Sequence, residues 1–209
     1  MKAIQIKILV GLVVVTWAAA LLIQGRQVPL DYLKSFSYAV TVVSFALLLW
    51  ERWLWSWWAF RPWLTTRPDL RGTWKGHLVS SWTDPVTKQG RGEIEAYLVI
   101  RQTYSSIDVR LLTAESGSVS LSASIVDDSQ GIHTLAVVYR NTPRVLLRDR
   151  SPIGHGGMLL YVRGKLVHQL DGEYWTDRKT KGELKFAARS HDEYLEDFEK
   201  AVKISYTLS

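Results

Sequence analysis

The sequence predicts a membrane-anchored all-β protein, in which two N-terminal transmembrane helices precede an antiparallel eight-stranded β-barrel and a short C-terminal helix. Three observations predict this fold class. Two apolar spans lie within the first 61 residues. From residue 72 onward, apolar and polar residues alternate with the period of two that strands produce. Turn residues then recur about every ten residues, as in strands joined by short loops. We therefore expect a transmembrane hairpin (1–61), a linker (62–71) and a barrel (72–209).

The first apolar span runs from Ile8 to Ile23 without a charged residue. Counted from Ala3, it covers about 21 residues, or roughly 31 Å of helix, which is enough to cross a bilayer core. Lys7 can extend its ammonium group to the lipid headgroups. A secretory signal peptide cleaved near Ala18–Ala20 is the alternative. The apolar residues that follow these alanines favour a transmembrane helix instead.

The second apolar span is uncharged from Phe36 to Trp50 and ends at Glu51-Arg52. Four tryptophans follow: Trp53, Trp55, Trp57 and Trp58. Tryptophan rings suit the headgroup layer, so this cluster predicts an interfacial anchor. Pore lining in an oligomer is the alternative, because a charged pair at a helix end can face a partner helix.

The distribution of charge predicts the orientation of the hairpin. The link between the spans carries Arg26 and Lys34, whereas five Lys and Arg residues follow the second span by residue 75. The positive-inside rule therefore places both termini in the cytoplasm. The absence of cysteine agrees with a reducing compartment.

The basic pI of the chain comes mostly from the membrane flanks. Residues 1–71 hold eight Lys and Arg against three acids, while the remaining residues hold 18 against 17. Binding of a DNA or RNA polymer needs a basic surface on the folded domain, so the charge does not indicate such a partner.

The soluble part reads as a meander of eight or nine strands. The predicted strands cover residues 72–79, 93–102, 107–113, 118–126, 132–140, 145–148, 158–163, 166–175 and 183–189. Closure into a barrel would remove the exposed strand edges, and a barrel of this size can hold one small ligand. Ser190–Glu193 fits a capping box that would open a helix over Asp192–Ala201.

Sequence motifs for catalysis are lacking. There is no cysteine, and the five histidines are scattered without metal-ligand spacing. The glycine-rich run Gly154–Gly157 matches no phosphate-binding fingerprint, and no serine lies in a nucleophile-elbow motif. We therefore expect a protein that is not an enzyme and has no catalytic residue, metal or resident cofactor.

Cations and aromatic residues on neighbouring strands are the candidates for ligand binding. They are Arg101, Tyr104, Tyr139, Arg140, Tyr174, Trp175, Arg178 and Thr180. Arginine pairs with phosphate through two hydrogen bonds, and aromatic rings stack on nucleobases. The alternative is that each of these residues lies on the barrel exterior, at its rim or in its core.

Several longer segments resemble a known family. Gly72-Thr73-Trp74 is similar to the Gly-x-Trp of lipocalin-like barrels, and it lies within a larger pattern. That pattern comprises Arg67–Gly76, Leu98–Thr103, Thr113–Ser116, Tyr139–Pro143 and Leu170–Leu184. Together with the two apolar spans, it resembles the two-transmembrane, β-strand-rich effectors associated with CD-NTases in bacterial CBASS anti-phage defence.

The resemblance implies a specific mode of action. A cognate CD-NTase would make a cyclic dinucleotide on phage infection, and the barrel would bind it as an activating ligand. Binding would drive homo-oligomerisation, the helices would cluster in the inner-membrane lipid, and the cell would die by abortive infection. The alternatives are a membrane-anchored, lipocalin-like carrier of an apolar ligand and a structural anchor without a ligand.

Overall fold

The computed structural model describes residues 10–11, 13–15, 17–18, 30–57, 67–84, 87–127, 132–164 and 166–208. The chain divides into two compact units. One contains Met1–Arg67 and Thr103–Ser105, and the other contains Pro68–Gln102 and Ser106–Ser209. The second unit therefore begins at Pro68, four residues before the start expected from the sequence.

Helix α1 (Leu30–Arg52) and a single 3₁₀ turn (Leu54–Ser56) belong to the first unit. Within this unit, the Oε1 atom of Glu51 accepts hydrogen bonds from the hydroxyls of Thr103 and Ser105, both at 2.6 Å. The predicted first span lies largely outside the described residues, and the predicted second span falls within α1. Among the helices described, none combines the length and apolar character needed to cross a membrane.

The second unit is built around an antiparallel sheet that closes on itself, as the sequence predicts. Its strands are β1 (Gly72–Ser80), β2 (Ile94–Gln102), β3 (Ile107–Thr113), β4 (Ser116–Asp127), β5 (His133–Pro143), β6 (Gly154–Arg163), β7 (Gln169–Thr176), β8 (Lys181–Ser190) and the two-residue β9 (Thr207–Leu208). Each strand pairs with the next, and β1 also pairs with β8, which completes an eight-stranded barrel. The predicted strand at Val145–Arg148 is wrong, since Val145–Leu147 forms a 3₁₀ turn between β5 and β6.

The barrel interior follows directly from the alternation in the sequence. Strand β2 shows the rule: Ala96, Leu98 and Ile100 belong to the inner core, whereas Tyr97 and Val99 belong to a separate outer cluster. Successive side chains on a strand point to opposite faces, so neighbouring residues in the chain have different environments.

The pairing between β3 and β4 is the shortest in the barrel. Three residue pairs join them, from Arg110↔Val119 to Leu112↔Gly117, against six to eleven between the other neighbouring strands. The register of β4 against β5 shifts between Ser120 and Ser122. Beyond Ser120, the described part of β4 is paired with β5 alone. We call this junction the β3–β4 seam.

One end of the barrel is filled by side chains. At this closed end, where β1 begins, Leu70 and Trp74 are fully buried, and the Trp74 indole donates to the Leu70 carbonyl at 2.9 Å. Gln102 is only 6% exposed; its oxygen accepts from the Leu70 N–H at 2.8 Å, and its amide donates to the Pro68 carbonyl at 2.9 Å. Residues 68–70 are thus part of the barrel.

The C-terminal segment covers part of the outer face. Helix α2 (Phe198–Lys203) is short, as expected, but it begins six residues later than the predicted capping box implies. Its N-cap is Asp197, whose carboxylate accepts from the Lys200 N–H at 2.8 Å. Asp192 instead accepts from the Tyr194 N–H at 2.9 Å, which forms a local turn and not the first turn of a helix.

Replacing Gly172 with alanine should destabilise the barrel by about 1–3 kcal/mol, the usual cost of overpacking. A Cβ atom at this position would lie 1.9 Å from the Leu159 carbonyl oxygen on the neighbouring strand. Gly117→Ala is the matched control, because its Cβ would meet its nearest atom at 3.9 Å. Chemical denaturation measures both variants. Equal stability of the two would contradict the close approach of β6 and β7.

Candidate functional site

A cavity of about 730 Å³ lies at the end of the barrel opposite the closed end. At this open end β1, β3, β5 and β7 finish and β2, β4, β6 and β8 begin. The loops β1–β2, β3–β4, β5–β6 and β7–β8 therefore meet here, because alternate connections of an up-and-down barrel share one end. Each of these four loops or its flanking strand ends contributes residues to the cavity lining.

Aromatic and hydroxyl groups form the inner wall. Tyr139 and Tyr174 reach the cavity from β5 and β7, beside Thr176 and Thr180. The Thr176 and Thr180 hydroxyls lie 2.7 Å apart. Burial raises the pKa of the Tyr139 phenol well above its usual range, so the phenol stays protonated, and its hydroxyl donates to the Trp175 carbonyl at 3.4 Å.

Arg178 places a cation at the side of the cavity. Its guanidinium donates to the Ser151 hydroxyl and to the Pro152 carbonyl. These bonds link the β7–β8 turn, which carries Arg178, to the β5–β6 loop. Its buried Nε meets no hydrogen-bond acceptor among the described residues. A guanidinium that lines a cavity is suited to pair with an anion that enters it.

A second group of charges lies where three loops meet at the rim. The Glu115 carboxylate contacts Arg91 through Oε2 at 2.7 Å and Arg150 through Oε1 at 3.0 Å. The Arg91 guanidinium also lies 4.9 Å above the Trp82 ring. All four of these side chains line the cavity. We call Arg91, Glu115 and Arg150 the rim triad.

The charge balance of the cavity suits a small anion with aromatic parts. The cavity lining holds three arginines, Arg91, Arg150 and Arg178, and two carboxylates, those of Glu93 and Glu115. Positive charge is therefore in excess. A cavity of this volume lies within the roughly 300–1,000 Å³ typical of small-molecule sites. Among the described residues, no group of three or more His, Cys, Asp or Glu side chains is arranged to hold a metal ion.

Four of the eight sequence-predicted binding residues come together in the cavity: Tyr139, Tyr174, Arg178 and Thr180. The other four lie elsewhere. Arg140 and Trp175 directly follow cavity residues on β5 and β7, so strand alternation turns them outward, and both are exposed. The Trp175 indole lies over Gly157, where an added Cβ would be 2.5 Å from the ring.

Arg101 lies on the outer face of β2. It donates to the Glu193 carbonyl at 2.8 Å, and its guanidinium stacks 4.6 Å from the Tyr194 ring, so it holds the C-terminal segment. Tyr104 belongs to the first unit, where its ring lies 5.7 Å from that of Trp50. As nucleotide-binding residues, all eight remain predictions.

Sequence reasoning missed the rim triad and Trp82. These residues lie in loops and at strand ends, where no periodicity identifies them. The signal that could have found them is topological, because alternate loops of a meander share one end. Comparing the charged residues of the β1–β2, β3–β4 and β5–β6 loops would have brought Arg91, Glu115 and Arg150 together.

Comparison with known proteins places the chain in a family. A match to the family described as "Cap15, cyclic dinucleotide receptor domain" covers residues 65–188, more than half of the chain. The chain belongs to this family. It is also 27% identical over 156 residues to "CD-NTase-associated protein 15" of Staphylococcus schleiferi, an alignment that covers 75% of this chain and 80% of that protein.

Family membership confirms the resemblance to CBASS-associated effectors. The matched residues 65–188 contain all eight barrel strands except the last two residues of β8. They also contain the complete lining of the cavity, from Leu78 to Thr180. The part of the chain that defines the family is therefore the part that forms the cavity.

Proposed function

We propose that the chain is a CBASS effector whose barrel binds a cyclic dinucleotide in the cavity at the open end. The observation that carries this proposal is the combination of three arginines and two tyrosines around one cavity of a receptor-family barrel. Family membership also favours a role in binding over a role in catalysis.

The chemistry of the cavity matches the parts of a cyclic dinucleotide. Such a ligand has two phosphates and two bases in one compact ring, so it requires cations and aromatic faces within one concavity. Arg178 supplies the first cation, on the wall of the cavity. Tyr139 and Tyr174 supply aromatic faces and hydroxyl groups on the same wall.

An apolar carrier is the rival function, and the cavity argues against it. A carrier of an apolar ligand requires an uncharged interior, because an arginine without a paired anion is costly to bury. Arg178 contributes to the lining and, in the described part of the chain, makes hydrogen bonds to a hydroxyl and a carbonyl but no ion pair with a carboxylate.

For the later steps we propose that nucleotide binding favours a homo-oligomer. A ligand can shift assembly only if it binds the assembled state more tightly than the resting state. Clustering of the N-terminal segments would then disrupt the inner membrane and kill the infected cell. Both termini would face the cytoplasm, where a cognate CD-NTase makes the nucleotide.

A thermal-shift screen tests the binding step. Purified chain is mixed with cyclic di-AMP, cyclic di-GMP, cyclic GMP–AMP and cyclic trinucleotides. At a concentration of 100 Kd, a true ligand should add about 2.7 kcal/mol to the stability of the barrel. Linear dinucleotides of the same base composition are the control. No shift with any cyclic dinucleotide would contradict the proposal.

We expect binding and killing to be separable. Residues 68–209 should bind nucleotide without harming cells, because they lack the apolar N-terminal segment. The full chain should permeabilise the inner membrane only when an active synthase is present. Dye entry into cells measures both. Equal dye entry with and without the synthase would argue against nucleotide gating.

A further inference from the structure

The rim triad joins three separate loops through one carboxylate. Glu115 lies between β3 and β4, Arg91 precedes β2, and Arg150 lies between β5 and β6. The two Glu115 oxygens are divided between the two arginines, at 2.7 and 3.0 Å. The Glu115 carbonyl also accepts from the Arg144 N–H at 2.9 Å, which holds the β5–β6 loop beside it.

We propose that the Glu115 carboxylate occupies a phosphate subsite of the cavity and that an incoming phosphate displaces it. Arg91 and Arg150 are then the phosphate ligands, and Glu115 is an internal competitor that keeps them in position while the cavity is empty. This inference rests on the proposed binding of a cyclic dinucleotide and adds the second phosphate subsite and its regulation.

The geometry of the two arginines supports this role. Both guanidiniums converge on a single small anion at the cavity rim, which is the arrangement that a phosphate oxygen pair requires. The Trp82 ring beneath Arg91 holds that guanidinium in place after the carboxylate has left. Arg178 lines the same cavity on another loop, so the two phosphates of one ligand have separate cations.

The exposure of the triad makes the exchange feasible. The side chains of Arg91, Glu115 and Arg150 are 34, 45 and 59% exposed, and ion pairs at such positions contribute little net stability. A phosphate can therefore replace the carboxylate at low cost, and Glu115 can turn toward water. Because one anion replaces another, the three loops stay joined with and without ligand.

The internal competitor also discriminates between ligands. A mononucleotide has one phosphate, which Arg178 can bind without disturbing the triad. A cyclic dinucleotide also pairs its second phosphate with Arg91 and Arg150. The free energy of this pairing must exceed the free energy lost when Glu115 leaves the two arginines. The triad thus favours ligands with two phosphates at the correct separation.

Calorimetric titration of the full chain in detergent micelles tests the inference, with the cyclic dinucleotide from the panel that binds the wild type most tightly. Glu115→Gln keeps the shape of the side chain and removes its charge, so the affinity should rise about threefold to tenfold. Arg150→Gln should lower the affinity. Binding of the corresponding mononucleotide should change little in either variant.

Two controls separate displacement from a general change in charge. Glu93→Gln removes the same charge from the cavity lining, but its partner is His77 at 3.9 Å and not an arginine, so the rise should be smaller. Asp171→Asn breaks the exposed pair with Arg163 near the closed end and should leave affinity unchanged. Thermal melting establishes that each variant is folded.

The outcomes are distinct. Unchanged or weaker binding by Glu115→Gln, or an equal rise with Glu93→Gln, would overturn the displacement of Glu115 while nucleotide binding itself stands. Unchanged binding by Arg150→Gln would overturn the assignment of the second phosphate subsite. If no cyclic dinucleotide binds the wild type, the proposed function fails, and this inference fails with it.

Discussion

Arg178→Ala should lower the affinity for a cyclic dinucleotide roughly tenfold to a hundredfold. Removing a guanidinium that pairs with a phosphate costs about 1.5–3 kcal/mol, the range for hydrogen bonds to charged groups. In the structure, this guanidinium is held by Ser151 and Pro152 at the cavity wall. Calorimetric titration of variant and wild type gives the ratio of dissociation constants directly.

Arg140→Ala is the matched control for this experiment. It removes the same charge from strand β5, but its side chain lies on the outer face of that strand and is exposed. Binding by this variant should equal that of the wild type. If Arg140→Ala weakened binding and Arg178→Ala did not, the ligand would bind outside the barrel, and the cavity would not be the site.

A fragment of residues 68–209 should fold in the absence of detergent, and a fragment of residues 72–209 should be less stable by about 2–5 kcal/mol, the usual cost of losing a large core side chain. The shorter fragment lacks Leu70, which is fully buried. It also leaves both polar groups of the Gln102 side chain without their partners at Leu70 and Pro68.

Denaturant titration of the two fragments measures this difference. A fragment of residues 67–209 is the control, since the chain divides between Arg67 and Pro68, and it should match the 68–209 fragment. Equal stability of the 72–209 and 68–209 fragments would show that the closed end does not depend on residues 68–71.

The closure of the barrel could be predicted from the sequence because alternation and turn spacing are both local signals. Its polar details could not. Tyr139-Arg140 and Tyr174-Trp175 are adjacent pairs of candidates, and alternation allows only one member of each pair to face inward. To choose the correct member, one must know which face of each strand points to the core. That is set by pairing with strands distant in the sequence.

The start of the barrel unit and the start of the C-terminal helix show a second limit of sequence reasoning. Both are set by tertiary contacts, which a local sequence pattern does not contain. Two prolines made residues 62–71 read as a linker, but Gln102, some thirty positions later in the chain, holds residues 68–70 in the barrel. Similarly, the capping box at Ser190–Glu193 is a sound local signal. Arg101 and Thr73 bind the Glu193 and Asp192 carbonyls instead, which keeps that segment extended.

The shortness of the β3–β4 seam has a consequence for motion. Amide hydrogens of β4 beyond Ser120 that face β3 have no carbonyl from that strand to protect them, so they should exchange with deuterium far sooner than those of β6 and β7. Glu115 lies in the turn that closes this seam, whereas Arg178 lies in the turn between β7 and β8. The three β3–β4 pairs that remain adjoin the turn holding Glu115, so breathing of the barrel would be concentrated toward the closed end, while the anchors for both phosphates stay in place.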